Sequence, residues 1–184
     1  VDCLVCHATH GKSHEEELLR IYDDVRLPTG QVLTGAGASA TCIACHNGRV
    51  APPVPNPPGV TTPHYLNGGA MLEGINAVTT FDATTYVLTS SQHTQLLSTG
   101  ALGCPTCHMG AVPTSGPGAG KVGGHTFNLV DHDSGFENVD NTCNAAACHS
   151  GLTTINRLAN GNYDGNDAIE GVRTETLNLL VLLK

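Results

Sequence analysis

Bulky core-forming residues are scarce in this sequence. Its 184 residues include no tryptophan, three phenylalanines, four tyrosines and two methionines. A chain so poor in aromatics cannot build a large side-chain core, so something else must supply much of its apolar interior. Basic residues are few as well, with eight Lys and Arg against sixteen Asp and Glu and a formal net charge of −8. That balance argues against nucleic-acid binding, because phosphate contacts need Lys and Arg. No run approaches the roughly 20 apolar residues of a membrane span. No leader peptide is recognisable, and Val1 is read as close to a mature N-terminus after leader removal.

What the sequence does have is glycine (22), proline (10), histidine (10) and cysteine (8). The cysteines are not scattered. Cys104-Pro105-Thr106-Cys107-His108 reads C-x-x-C-H, the attachment sequence of a c-type haem. Two thiols add across the two vinyl groups, and the adjacent His is in reach of the iron. The pattern recurs at Cys3, Cys6 and His7 and at Cys42, Cys45 and His46. A stretched version runs from Cys143 to Cys148 and His149, with four residues between the thiols. The four motifs use all eight cysteines. Neither a disulfide framework nor paired zinc ligands require a His at the same offset four times. The expectation is four covalent haems with His7, His46, His108 and His149 as proximal ligands.

Four haems in a globule with a radius of gyration of about 16 Å must lie near one another. Proximity is the condition for electron hopping. The haems would then be much of the interior, and the haem-free chain is expected to be unfolded. The expected architecture is one tetrahaem domain over 1–184, mostly irregular and loop-rich, with a few short α-helices and little β. A capping box at Ser13 and Glu16 predicts a helix from Ser13 to about Leu27, ended by Pro28. A Gly-rich loop is expected over 29–41 and an extended Pro-rich segment over 50–63. One helical turn is expected over 69–74, a strand or extended segment over 79–89, and a helix capped by Ser90 or Ser91 that carries His93. A Pro/Gly loop is expected over 111–124, and a last helix after Thr174. Cys3 and Cys42 are 39 residues apart, as are Cys104 and Cys143, which hints at a repeat.

Six further His remain for four irons. Met109 adjoins His108 and cannot cross to the far face of the same haem. Bis-His ligation is therefore the economical arrangement, with potentials below those of His/Met haems. The distal candidates are His10, His64, His93, His125 and His132. His10 follows His7 by three residues and reaches only a different haem. His14 is a sixth candidate; at the start of an acidic helix, a solvated side chain is the alternative. Near the C-terminus, Asn162, Asp164, Asn166 and Glu170 put oxygen ligands at alternate positions, like part of a Ca2+ loop. Asp167 stands where such loops have Gly, Arg173 where they have Glu, and Glu175 is a substitute two residues later. The alternative there is a plain polar turn.

Several segments resemble the multihaem c cytochromes of metal-reducing and electrogenic microbes. His64-Tyr65 with Gly69-Ala70-Met71-Leu72-Glu73-Gly74 is similar to their "PHY…A-M-L-x-G" segment. Gly123-Gly124-His125-Thr126-Phe127 is similar to their distal-ligand "GGHTF". Cys148-His149-Ser150-Gly151 and Tyr163-Asp164-Gly165-Asn166 resemble their C-terminal part. Haem count and size resemble the extracellular tetrahaem cytochrome filaments of the OmcE type. That resemblance implies head-to-tail polymers with a continuous haem stack, an upstream cytochrome donor and an extracellular acceptor. It also implies a distal His given to a neighbouring subunit's haem, a position matched by His10. The stretched fourth motif departs from the pattern. A monomeric periplasmic shuttle remains the alternative, and a multihaem reductase is less favoured, since no C-x-x-C-K motif occurs.

Overall fold

The structure is a computed structural model and describes residues 2–8, 18–49, 67–73, 80–81, 84–85, 92–94, 103–144 and 149–182. The chain divides into two compact units, Val1–Pro105 and Thr106–Lys184. It is loop-rich, with short helices and three two-stranded antiparallel hairpins among the described residues.

In chain order the elements are helix α1 (Cys3–Cys6), strands β1 (Val25–Arg26) and β2 (Val32–Leu33), helices α2 (Ser39–Ile43) and α3 (Gly68–Leu72), and strands β3 (Thr80–Phe81) and β4 (Thr84–Thr85). Helix α4 (Cys104–His108), a 3-10 turn at Gly124–Thr126, strands β5 (Val130–Asp131) and β6 (Phe136–Glu137) and helix α5 (Val172–Leu182) follow.

The helix expected from Ser13 to Leu27 does not form over 18–27; its first turn and the side chain of His14 lie outside the described residues. Leu18 and Asp23 take positive φ, at 53° and 62°. The backbone groups an α-helix would use are bonded elsewhere. Ala8 N donates to Leu18 O (2.6 Å), Arg20 N to Cys6 O (2.9 Å) and Ala36 N to Asp23 O (2.7 Å). Val25 enters a hairpin instead. Its turn is Leu27-Pro28-Thr29-Gly30, with Gly30 N donating to Leu27 O (2.9 Å) and Gly30 at φ 89°. Proline second and a left-handed Gly fourth are the residues this turn requires. Pro28 therefore ends no helix; it turns a hairpin.

Val25 faces Leu33 across that hairpin. With Leu27, Ala36, Ala40 and Ile43 they form the buried apolar cluster of the N-terminal unit, against which Ala44, Leu72 and Cys104 pack. Ala40 and Ile43 lie three apart on α2 and share one face. The loop expected over 29–41 thus contains β2 and opens α2. The turn over 69–74 appears as α3. The segment over 79–89 contains the β3–β4 hairpin, and Gln92–Thr94 is helical. The Pro-rich segment over 50–63 lies outside the described residues.

The C-terminal unit buries polar groups more than apolar ones. Val122, Val139 and Ala159 are buried, beside Asp131, Asn138, Thr142 and Glu175. Helix α5 begins two residues before the expected cap at Thr174. Its Leu177, Leu179, Leu180, Val181 and Leu182 are exposed, Leu182 at 69%. Among the described residues no helix is long and apolar enough to cross a membrane.

Candidate functional site

The three C-x-x-C-H motifs take one local form. Each is a single helical turn in which the His amide closes onto the first Cys carbonyl. In α1, His7 N donates to Cys3 O at 2.9 Å, and Asp2 caps the start by accepting from Leu4 N. After α2, His46 N donates to Cys42 O at 2.8 Å. Helix α4 spans Cys104 to His108. Positions i, i+3 and i+4 of a helical turn lie on one face. Both thiols and the imidazole of each motif therefore project to the same side. A ring attached at two points and ligated at a third needs that arrangement, so these residues fit a c-type haem.

The stretched motif closes differently. His149 N reaches Cys143 O at 3.3 Å across six residues. Asn144, inside the loop, pairs with Leu152 in both senses, donating to its O at 2.8 Å and accepting from its N at 3.1 Å. Cys148 lies outside the described residues.

Each motif is anchored by a neighbour. Residues 18–20 pair with 6–8, including a bridge between His7 and Leu19. Helix α3 rests on the second motif, where Gly69 N donates to His46 O at 2.6 Å. A Cβ on Gly69 would sit 2.9 Å from both His46 O and Ile43 Cγ2, so only Gly permits this approach. Cys104 N donates to Ser39 Oγ at 2.8 Å, which seats the third motif on the first residue of α2. Within the N-terminal unit, the Cys6, Cys42, Cys45 and Cys104 thiols lie near one another. The Cys42 thiol is hydrogen-bonded to Cys104, and that hydrogen bond, then burial, then the nearness of Cys104, Cys6 and Cys45 push it far above the ordinary range. Like charges and burial both oppose a thiolate there.

His108 Nδ1 lies 3.0 Å from Phe127 O. A carbonyl only accepts, so Nδ1 carries a proton, and in the neutral imidazole that leaves the lone pair on Nε2. That is the tautomer an iron ligand needs.

Among the distal candidates, His93 is exposed in the helical stretch Gln92–Thr94, and the Thr94 hydroxyl donates to Leu72 O. His125 is exposed in the 3-10 turn, with its ring edge-on to Phe127 at 5.9 Å. His132 is exposed in the turn between β5 and β6. His10 and His64 lie outside the described residues.

The acidic loop gathers three carboxylates. Asp164, Glu170 and Glu175 bring ligand atoms within 4.8 Å of one another and could hold a metal ion. Asn162 and Asn166 are turned to other work: their Oδ1 atoms accept from Gly165 N (2.7 Å) and Ala168 N (2.9 Å). Asp167 adopts φ 67°. Glu175 is buried, at 2% exposure, and accepts from Tyr163 N, Asp164 N and Glu170 N at 2.9, 3.3 and 3.0 Å. Asn178 Nδ2 bridges Asp164 and Glu170 at 2.6 and 3.1 Å.

Sequence reasoning missed Ser39, Asn144, Asn178 and the Phe127 carbonyl. Only Asn144 had a visible signal, an amide inside the stretched motif. Comparisons with protein-family models, curated proteins and solved structures find no match for this chain.

Proposed function

We propose that this chain is an exported electron-transfer protein. In this reading it carries four covalent c-type haems and polymerises head-to-tail into an extracellular filament. The observation that carries the reading is the common helical turn of the three C-x-x-C-H motifs, with two thiols and an imidazole on one face. The His108–Phe127 bond adds the tautomer suited to ligation. A bound haem supplies one-electron exchange at its iron. The protein holds the rings, fixes their neighbours and tunes them through the axial imidazoles and their hydrogen bonds.

Exposed apolar side chains support this reading. Leu4, Val5, Leu18, Ile21, Phe127 and the end of α5 are all exposed in the chain alone. Haems and neighbouring subunits would cover such surface. His10, His64, His93, His125 and His132 are proposed as distal ligands, His10 to the haem of a neighbouring subunit. No catalytic residue is proposed.

Haem quantitation on the purified protein tests the haem assignment, with four per chain expected and fewer than three sinking it. Electron microscopy of protein sheared from cells tests the filament. Filaments of uniform width are expected. His10→Ala should abolish them while all four haems stay attached. Particles of single-subunit size in the unmodified protein would favour a monomeric shuttle.

A further inference from the structure

Phe127 has a conformation that its own side chain does not explain. It sits at φ 58°, ψ 5°, in the left-handed region. A bulky residue there is an outlier and persists only where its surroundings hold it. The residue is 42% exposed, so core burial does not hold it. The backbone around it does. Gly123 N donates to Asn128 O (2.9 Å), Phe127 N to Gly124 O (3.2 Å) and Gly124 N to Gly110 O (3.0 Å). Thr126 Oγ1 donates to Gly123 O (2.7 Å) and accepts from Asn128 N (3.2 Å). Gly123 is itself required, because a Cβ there would meet Gly110 O at 2.4 Å. The outcome of this held turn is the direction of one carbonyl, onto His108 Nδ1 at 3.0 Å.

We propose that Phe127 is the positioning residue of the third attachment site. Its left-handed backbone sets the tautomer and ring plane of His108, and the same five-residue turn presents His125. One rigid segment thereby ties a proximal ligand to a distal candidate two residues from the buttress. The inference rests on the haem reading of the third motif. Donation from Nδ1–H gives the imidazole more anionic character and raises its basicity as a ligand. A stronger donor favours the oxidised iron, so the bond should hold the potential of that one haem down.

The test is spectroelectrochemical titration of the four-haem protein and two variants. Val is β-branched and resists the left-handed region, whereas Asn tolerates it. Phe127→Val should move one of the four midpoint potentials upward and leave three unchanged. Phe127→Asn should keep all four at their original values, although it removes the ring beside His125. Equal shifts in both variants would assign the effect to the ring and overturn the proposal, as would no shift in either. Should Phe127→Val fail to load its haem, hydrogen exchange in the unmodified reduced protein decides. The His108 Nδ1 proton should exchange much more slowly than that of an exposed imidazole, and fast exchange overturns the proposal. Haem quantitation on the unmodified chain reads the haem assignment separately, so the two failures are distinguishable.

Discussion

The N-terminal unit buries aliphatic side chains against each other: Val25, Leu27 and Leu33 from a hairpin, and Ala36, Ala40 and Ile43 from α2 and its approach. The C-terminal unit buries Asn138, Thr142, Asp131 and Glu175 and satisfies them with backbone and side-chain partners. Asn138 Nδ2 donates to Ala111 O (3.1 Å), its carbonyl accepts from Thr142 Oγ1 (2.6 Å), and its Oδ1 accepts from Asn141 (2.9 Å). The difference shows two ways to hold a Cys-His motif where large side chains are scarce. Aliphatic contact is non-directional and tolerates small shifts. A polar network fixes loops sharply, but each buried member left unpaired is costly.

The largest expected effect erases the contrast. A chain made without haem attachment should lose structure in both units, read by circular dichroism and by proteolysis along the whole chain. A protease-resistant Val1–Pro105 fragment would show that the aliphatic cluster is sufficient alone.

Single substitutions come next and should separate the units. Glu175→Ala strips three backbone N–H donors of their acceptor and should cost roughly 3 kcal/mol or more. Ile43→Ala empties the centre of the aliphatic cluster and should cost about 2–5 kcal/mol. Hydrogen exchange should place the first loss in 156–182 and the second in 19–46. A loss shared by both regions would deny that the two are held independently.

Acid should push the units in opposite directions. The Ser134 hydroxyl, and then Lys121, hold Asp131 below the usual carboxylate range, although burial acts the other way. Its stabilisation is full above the ordinary value and is lost as pH falls through the lowered one. Burial raises Glu73 above its ordinary value. Its protonated form suits the fold, so that contribution is full below the ordinary value and is lost as pH rises through the raised one. Relative to intrinsic rates, exchange at 68–73 should therefore slow as pH falls through the raised Glu73 value, and exchange at 130–137 should quicken only as pH falls further, below the ordinary Asp value. Asp131→Asn and Glu73→Gln should each remove one trend.

Calcium should have the smallest effect. Two amides already bridge Asp164 and Glu170, Asn178 and also Asn166 at 3.0 and 2.7 Å. Millimolar Ca2+ should raise the melting temperature of the C-terminal unit by a few degrees, as binding only to the folded state requires. The N-terminal unit should not respond, and Asp164→Asn should abolish the shift.

Local chemistry was legible where neighbours along the chain decide the geometry. The helical turn over 69–74 and the extended residues within 79–89 came from short-range preference, whereas their pairing as a hairpin did not. Asp167, which stands where calcium loops have Gly, takes the left-handed conformation, and nothing in its residue type announced that. The helix over 13–27 was misread where the structure describes it. Its capping box and apolar stripe are real signals. Pairing of 18–20 with 6–8, and of Asp23 with Ala36, satisfies the same backbone groups through tertiary contact, which outweighs weak helix propensity.

The sequence by itself determined the motif count, the use of every cysteine, the acidic balance and the shortage of side-chain core. These follow from residue identity and spacing, and a three- or four-residue offset on a helical turn needs no distant partner. Only the tertiary structure decided that Ser39 seats Cys104, that Gly69 lets α3 rest on His46, that Glu175 is buried against the Tyr163 and Asp164 amides and that Phe127 turns its carbonyl to His108. Each of these joins residues eleven to sixty-five positions apart through a directional bond or a close approach. Such contacts depend on where the backbone goes between them, which local propensity does not specify.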